Sequence, residues 1–148
     1  MFRLPRRMLE QSFSIFRACG ANRRECQVYW ASSWTDPNCL THLFHPRHSA
    51  GAYGLAINDQ WLGEFWSELA SRNLGVRVQV HTHPYEAFHS ETDDAFPLLF
   101  DVGFLSLVIP NFAKGPVGFK DAYLAEIQAD GSWAEVPAAS RIVVDDQG

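Results

Sequence analysis

Several things are scarce in this sequence of 148 residues, and each scarcity excludes a class of function. Lysine and arginine number 12 against 17 acidic residues, a formal net charge of −5, so no global attraction to nucleic acid is available. No apolar run approaches the ~20 residues needed to cross a bilayer, so a soluble protein with no membrane partner is expected. Arg3, Arg6 and Arg7 make the first residues basic, yet Leu9-Glu10-Gln11-Ser12 interrupts any apolar stretch, and no secretion signal is expected. The three cysteines, Cys19, Cys26 and Cys39, are odd in number and lack Cys-x-x-Cys spacing, which favours a reducing, cytoplasmic setting. Repeats and low-complexity linkers are missing. So is the pairing of His-x-Glu with Pro-Cys-x-x-Cys that nucleobase deamination needs.

What is present is a globular composition, 47% hydrophobic, 14% aromatic and 20% charged, at a length that suits one domain with its own core. A helix is expected from Met8 to Ala18, with Leu9, Phe13 and Phe16 on one face and Gly20 stopping it. Glu25 to Trp30 and Tyr53 to Ile57 read as strands, and Asn58-Asp59 as a turn and helix cap. Leu62, Phe65, Trp66 and Leu69 follow the spacing of a core-facing helix that Gly75 ends, with Trp61 also expected in the core. Ser90 caps a helix expected from Glu91 to Phe100, and Phe104 to Ile109 is an apolar strand. Lys120 to Gln128 and Trp133 to Val136 form an expected hairpin around Ala129-Asp130-Gly131, and Asp145 to Gly148 a frayed tail. Helices alternating with strands indicate an α/β or mixed domain.

The stretch with the most chemistry runs from Val76 to Asp94. Val76-Arg77-Val78-Gln79-Val80-His81-Thr82-His83 alternates as a half-buried strand does, which puts His81 and His83 on one face, opposite the valines. Pro84 cannot donate to a ladder and ends the strand, so the second imidazole sits where a site can open. Catalytic zinc takes three protein ligands and leaves a fourth position for water. His81, His83 and an aspartate of the following helix would supply them. Hydrolysis further needs a general base, for which Glu25 is a candidate, and an oxyanion donor, for which Ser90 is well placed. Alone, His-x-His is common on exposed strands, and Ser-x-x-Asp is in outline a capping box.

Taken together, Glu25, His81-Thr82-His83-Pro84 and Ser90-Glu91-Thr92-Asp93 resemble the motif of the JAB/MPN (JAMM) zinc metalloproteases, bacterial deubiquitinase-like members in particular. The likeness extends to Glu25-Cys26-Gln27-Val28-Tyr29-Trp30 and Leu105-Ser106-Leu107-Val108-Ile109-Pro110, and so covers roughly residues 23 to 136 of one domain spanning 1–148. It implies a mixed central β-sheet flanked by helices, cytidine-deaminase-like. It also implies one Zn2+ per chain on His81, His83 and Asp93, water activation by Glu25, and stabilisation of the tetrahedral intermediate by Ser90. The substrate implied is a ubiquitin-like protein or its conjugate, with E1- or E2-like proteins as further partners. His83 and Asp93 are one residue closer than is usual in the family. Asp94 restores the spacing but puts Glu91 in the serine's place; Asp93 is preferred, with Asp94 the alternative ligand.

Other features are read more plainly. Pro46 excludes a helix through His42, His45 and His48, which are taken as surface loop residues. His89 is expected near the site, supporting the ligands from behind or meeting solvent in preference to contacting substrate, and Tyr29, Trp30 and Trp34 could line a groove. Strand alternation puts Cys26 on the face opposite Glu25, so it is not counted as a ligand. Beside the peptidase reading stand a non-catalytic MPN-type scaffold and a zinc amidohydrolase acting on a small substrate.

Overall fold

A computed structural model describes residues 1–19, 23–50, 55–95 and 97–147. The chain opens with a short strand, β1 (Phe2–Pro5), and turns directly into α1 (Arg6–Cys19), whose Met8, Leu9, Phe13 and Phe16 form one buried apolar face. Strands β2 (Gln27–Ser33) and β3 (His42–Phe44) follow, then a two-stranded pair, β4 (His48–Ala50) and β5 (Leu55–Ile57). Asn58 caps α2 (Asp59–Ser71), its side-chain oxygen accepting the Trp61 amide at 2.9 Å. The remaining elements are β6 (Leu74–Thr82), α3 (Glu91–Ala95), β7 (Leu105–Ile109), β8 (Tyr123–Ile127), β9 (Trp133–Glu135) and β10 (Ile142–Asp145).

Six strands make the central sheet, in the order β3-β2-β6-β7-β8-β9. Only β6 and β7 run parallel; the other neighbours are antiparallel, so the sheet is mixed. Helix α1 covers one face, where Cys26, Val28, Trp30, Val78, Val80, Leu105, Leu107 and Leu124 join its apolar side chains. Helix α2 covers the other, with Phe65 and Leu69 against Tyr29, Leu74, Val76, Phe104 and Ile127. The expected mixed sheet flanked by helices is what forms.

Strand β6 departs from uniform alternation. Its register against β2 shifts between Trp30 and Ala31, so that Trp30 faces Val78 while Ala31 faces Val76. This bulge rotates the strand by one residue: Leu74 and Val76 pack under α2, whereas Val78 and Val80 pack under α1. The Arg77 guanidinium at the bulge reaches the Ser32 hydroxyl at 2.9 Å and lies 4.2 Å from the Trp34 ring.

Other differences from the expected elements have local causes. Helix α2 stops before Gly75: Asn73 adopts the left-handed turn, at φ 55°, and Gly75 lies within β6, where a Cβ would stand 2.9 Å from the Trp34 ring. Helix α3 ends at Ala95 rather than running to Phe100, since Pro97 has no amide hydrogen to continue it. Of the tail expected to fray, Asp145 instead closes β10, which pairs in parallel with β1; Arg3 holds Asp145 at 2.8 Å, and Arg6 pairs with Asp146 in the turn that follows. Trp30 is fully buried under α1 and Tyr29 is buried against α2, so neither lines a groove, while Trp66, expected in the core, is 38% exposed. The stop expected at Gly20, residues Tyr53 and Gly54 of the expected second strand, and Gly148 lie outside the described residues.

One polar contact fixes α1 on the sheet. The Ser12 hydroxyl, fully buried, donates to the Met8 carbonyl at 2.7 Å and accepts the Trp30 indole N–H at 2.9 Å. Ser12→Ala leaves that indole without a partner and is expected to cost about 1–3 kcal/mol, read from the urea midpoint. The same change at exposed Ser67 should stay within about 0.5 kcal/mol, and equal losses at the two sites would show that the indole bond contributes nothing.

Candidate metal centre

Two hydrogen bonds, one of them to a side chain, extend the β2–β6 ladder past its last regular pair. The Thr82 amide donates to the Cys26 carbonyl at 3.0 Å, and the Cys26 amide donates to the Thr82 hydroxyl at 2.9 Å. Cys26 is thereby fixed opposite Thr82, the residue between the two histidines. Its own side chain goes to the α1 core, as alternation requires, and Glu25 is left beside His83.

His83 itself sits one residue beyond β6 and is held by the segment after β7. Its amide donates to the Ile109 carbonyl at 2.9 Å, and its carbonyl accepts the Phe112 amide at 2.8 Å. Asn111, Phe112 and Ala113 occupy the left-handed region, at φ 57°, 51° and 60°. For side-chain-bearing residues that conformation costs roughly 1–2 kcal/mol each. The turn survives because its amides are used: Asn111 donates to Tyr85 as Phe112 does to His83, and Arg17 of α1 clamps the Ala113 and Gly115 carbonyls at 2.8 Å.

The third group comes from the start of α3. The Asp93 amide donates to the Ser90 hydroxyl oxygen at 3.0 Å, and the Ser90 amide donates to the Asp93 carboxylate at 2.9 Å, a reciprocal cap that orients the carboxylate. Its two oxygens then lie 3.3 Å from His81 Nε2 and 3.2 Å from His83 Nε2, and the two imidazole nitrogens are 3.3 Å apart. A tetrahedral ion with bonds of about 2.0–2.1 Å to nitrogen and oxygen sets its ligand atoms about 3.3 Å apart. The donor set therefore fits zinc. Without a proton or cation among them, three lone-pair donors this close would repel.

Glu25 stands slightly outside this triangle, 3.8 Å from His83 Nε2, with an atom within 4.8 Å of both histidines. Asp94 turns elsewhere: its carboxylate pairs with His89 Nδ1 at 2.5 Å, and His89 Nε2 meets the Ser106 hydroxyl at 3.0 Å. Ser106 in turn accepts from the Gln79 amide, and the Gln79 oxygen accepts the Leu98 amide, both at 2.9 Å. Of the roles expected for His89, the supporting one is what forms: it is a buried strut tying α3 to β6 and β7. Phe88, half exposed, sets its ring edge-on to His83 at 4.7 Å.

Burial dominates the electrostatics. It lowers the pKa of His81, keeping that imidazole neutral, as a metal ligand must be. Burial also opposes the charge of Asp93, but hydrogen bonds from His81 and His83 outweigh it and hold this carboxyl well below its ordinary range. Glu25, 6% exposed, is pushed up to about 7, by burial first, with His83 opposing and Asp93 adding to the rise.

Sequence reasoning missed one assembly nearby. His42 lies in β3 against Phe44 and His45 is exposed as expected, yet His45 and His48 both turn their Nε2 atoms to cysteines. A cleft of about 680 Å³ runs from Glu25 and Arg24 past these histidines to Trp61.

The chain is 44% identical over 141 residues to y4jG of Sinorhizobium fredii, named as a probable metalloprotease, covering 92% of this chain and 87% of that protein. Its fold matches a Desulfitobacterium hafniense protein solved in solution, with TM-score 0.70 at 15% identity over 99% of this chain and 94% of the other. It also matches a JAB1/MPN domain protein from Archaeoglobus fulgidus, with TM-score 0.52 at 15% identity over 96% and 97%. No protein-family model matches it.

The raised pKa of Glu25 has a sign that can be tested. The folded chain holds this proton more tightly than the unfolded one. Its stabilising contribution is therefore full below about pH 4.5 and lost as the pH rises through about 7. In metal-free protein, Glu25→Gln is expected to gain on the order of 2 kcal/mol relative to wild type between pH 5 and pH 8. Urea midpoints at the two pH values check it; a difference that does not change with pH overturns it.

Proposed function

The chain belongs to the JAB/MPN metalloprotease family, a metal-dependent hydrolase by class, and we propose that it is a zinc (iso)peptidase. The bond it cuts is the one following the C-terminus of a ubiquitin-like protein. The observation that carries the reading is the convergence of His81, His83 and Asp93 within 3.3 Å, with the Glu25 carboxylate 3.8 Å from His83. His81, His83 and Asp93 would hold the zinc, and Asp94, engaged with His89, would not. When bound, zinc supplies a Lewis acid that polarises the scissile carbonyl and brings the pKa of water to about 7.

The chain's own residues do the rest. Glu25 takes the proton of the attacking water and delivers it to the leaving amine, a role suited to a carboxylate whose affinity for protons lies near neutrality. The Ser90 hydroxyl oxygen already accepts the Asp93 amide, so its proton is free to donate to the oxyanion. The cleft leading from Glu25 to Trp61 can take an extended tail, with Arg24 and Arg47 along it. E1- and E2-like proteins would be partners in the same pathway. Three unpaired cysteines suit a cytoplasmic setting, and no helix among the described residues is long and apolar enough to cross a membrane.

The test uses a linear fusion of ubiquitin to a reporter peptide, with zinc measured on the same tag-free samples. Glu25→Gln is expected to lower cleavage about 10²–10⁴-fold while zinc stays bound. Ser90→Ala should cost about 10²–10³-fold. Asp93→Ala is expected to lose the catalytic zinc, and Asp94→Ala to keep it. Full turnover by Glu25→Gln would falsify the general-base role. Cleavage of small amides with the fusion left intact would overturn the substrate and leave the metal centre standing.

A further inference from the structure

Around Cys26, the residue that follows Glu25, four soft or borderline donors converge. Cys19 ends α1, Cys26 precedes β2, His45 lies between β3 and β4, and His48 opens β4. One ligand atom from each lies within 4.8 Å of all the others. The contacts pair sulfur with nitrogen: Cys19 Sγ is 3.4 Å from His48 Nε2, and Cys26 Sγ is 3.4 Å from His45 Nε2. A tetrahedral ion with bonds of about 2.3 Å to sulfur and 2.0 Å to nitrogen sets the two about 3.5 Å apart.

The outer contacts point the same way. His48 Nδ1 lies 2.9 Å from the Pro46 carbonyl, which can only accept, so Nδ1 carries the proton and Nε2 offers its lone pair to Cys19. A backbone carbonyl on the remote nitrogen is the usual way a metal-binding histidine is oriented. Two independent thiol–imidazole hydrogen bonds would also have 3.4 Å contacts. They would give no reason for the pairs to converge on one point, with the imidazole centroids 5.5 Å apart.

We propose that Cys19, Cys26, His45 and His48 form a second metal site, a closed Cys₂His₂ centre for Zn2+, separate from the one on His81, His83 and Asp93. With four protein ligands no position is left for water, so its role is structural. It fastens the end of α1 and the β3–β4 connection to the residue adjoining Glu25. The ion thereby positions the proposed general base through its chain neighbour Cys26, and takes no part in the chemistry. A Cys₂His₂ donor set also selects zinc over magnesium or calcium, since thiolate is a soft ligand.

The experiment exploits sulfur, which the His81–His83–Asp93 set lacks. Reduced, tag-free full-length protein loaded with Co2+ is expected to show a near-ultraviolet thiolate-to-cobalt charge-transfer band. That band should survive in Cys39→Ser and His83→Ala and vanish in the Cys19→Ser, Cys26→Ser double variant. Zinc by elemental analysis should fall from about two per chain to about one in that double variant. His83→Ala should likewise hold about one, retained at the sulfur site. Cobalt bound with no thiolate band in the wild type overturns the proposal, and needs no variant to fold. A band that disappears with Cys39→Ser overturns it as well. One zinc per chain together with the band supports this site and counts against the other, so the two readings fail separately.

Discussion

Everything around the candidate centre follows from keeping two imidazoles and a carboxylate about 3.3 Å apart in a buried place. Desolvation opposes such a group, and lone-pair repulsion does too wherever no proton or cation lies between the donors. The resistance is built into the main chain. His81 is fixed by a ladder on both sides, His83 by amides of a left-handed turn, and Asp93 by its reciprocal cap with Ser90. Each support comes from a different part of the fold. A cation placed among them converts the repulsion into the bond that completes the arrangement, so loading and local order are one equilibrium.

The histidine strand and its partners were legible in the sequence for a specific reason. Strand parity puts residues two apart on one face, a capping serine orients the residue three positions on, and proline ends a strand. All three rules act over a few residues and need no knowledge of the rest of the chain. They also placed Cys26 on the face away from Glu25 and Asn58 at the start of α2. The preference for Asp93 over Asp94 rested on the same cap, and the geometry directs Asp94 to His89.

What was not legible depends on contacts between distant segments. The β6 bulge is set by β2, so the regular alternation of Val76, Val78 and Val80 concealed a change of face. The pairing of β1 with β10 joins residues more than a hundred positions apart, and neither short segment announces its partner. The cysteine and histidine cluster draws on four segments with no shared spacing, so each residue read singly as surface or core. The strained turn at Asn111–Ala113 carries no glycine to announce it; its amides, and Arg17 from α1, determine its shape.

The β6 bulge also divides that strand into two halves with different neighbours. The first, Leu74 to Val76, pairs only with β2 and answers to the packing of α2. The second, Val78 to Thr82, is gripped by β2 and β7 together and carries the imidazole face. Repacking under α2 therefore meets Leu74 and Val76 directly, while His81 lies past the bulge, in the half that two neighbouring strands hold in register. The register that aligns His81 with Gln27 and Val108 is thus set by main-chain pairing on both edges of the strand, not by the side chains beneath α2.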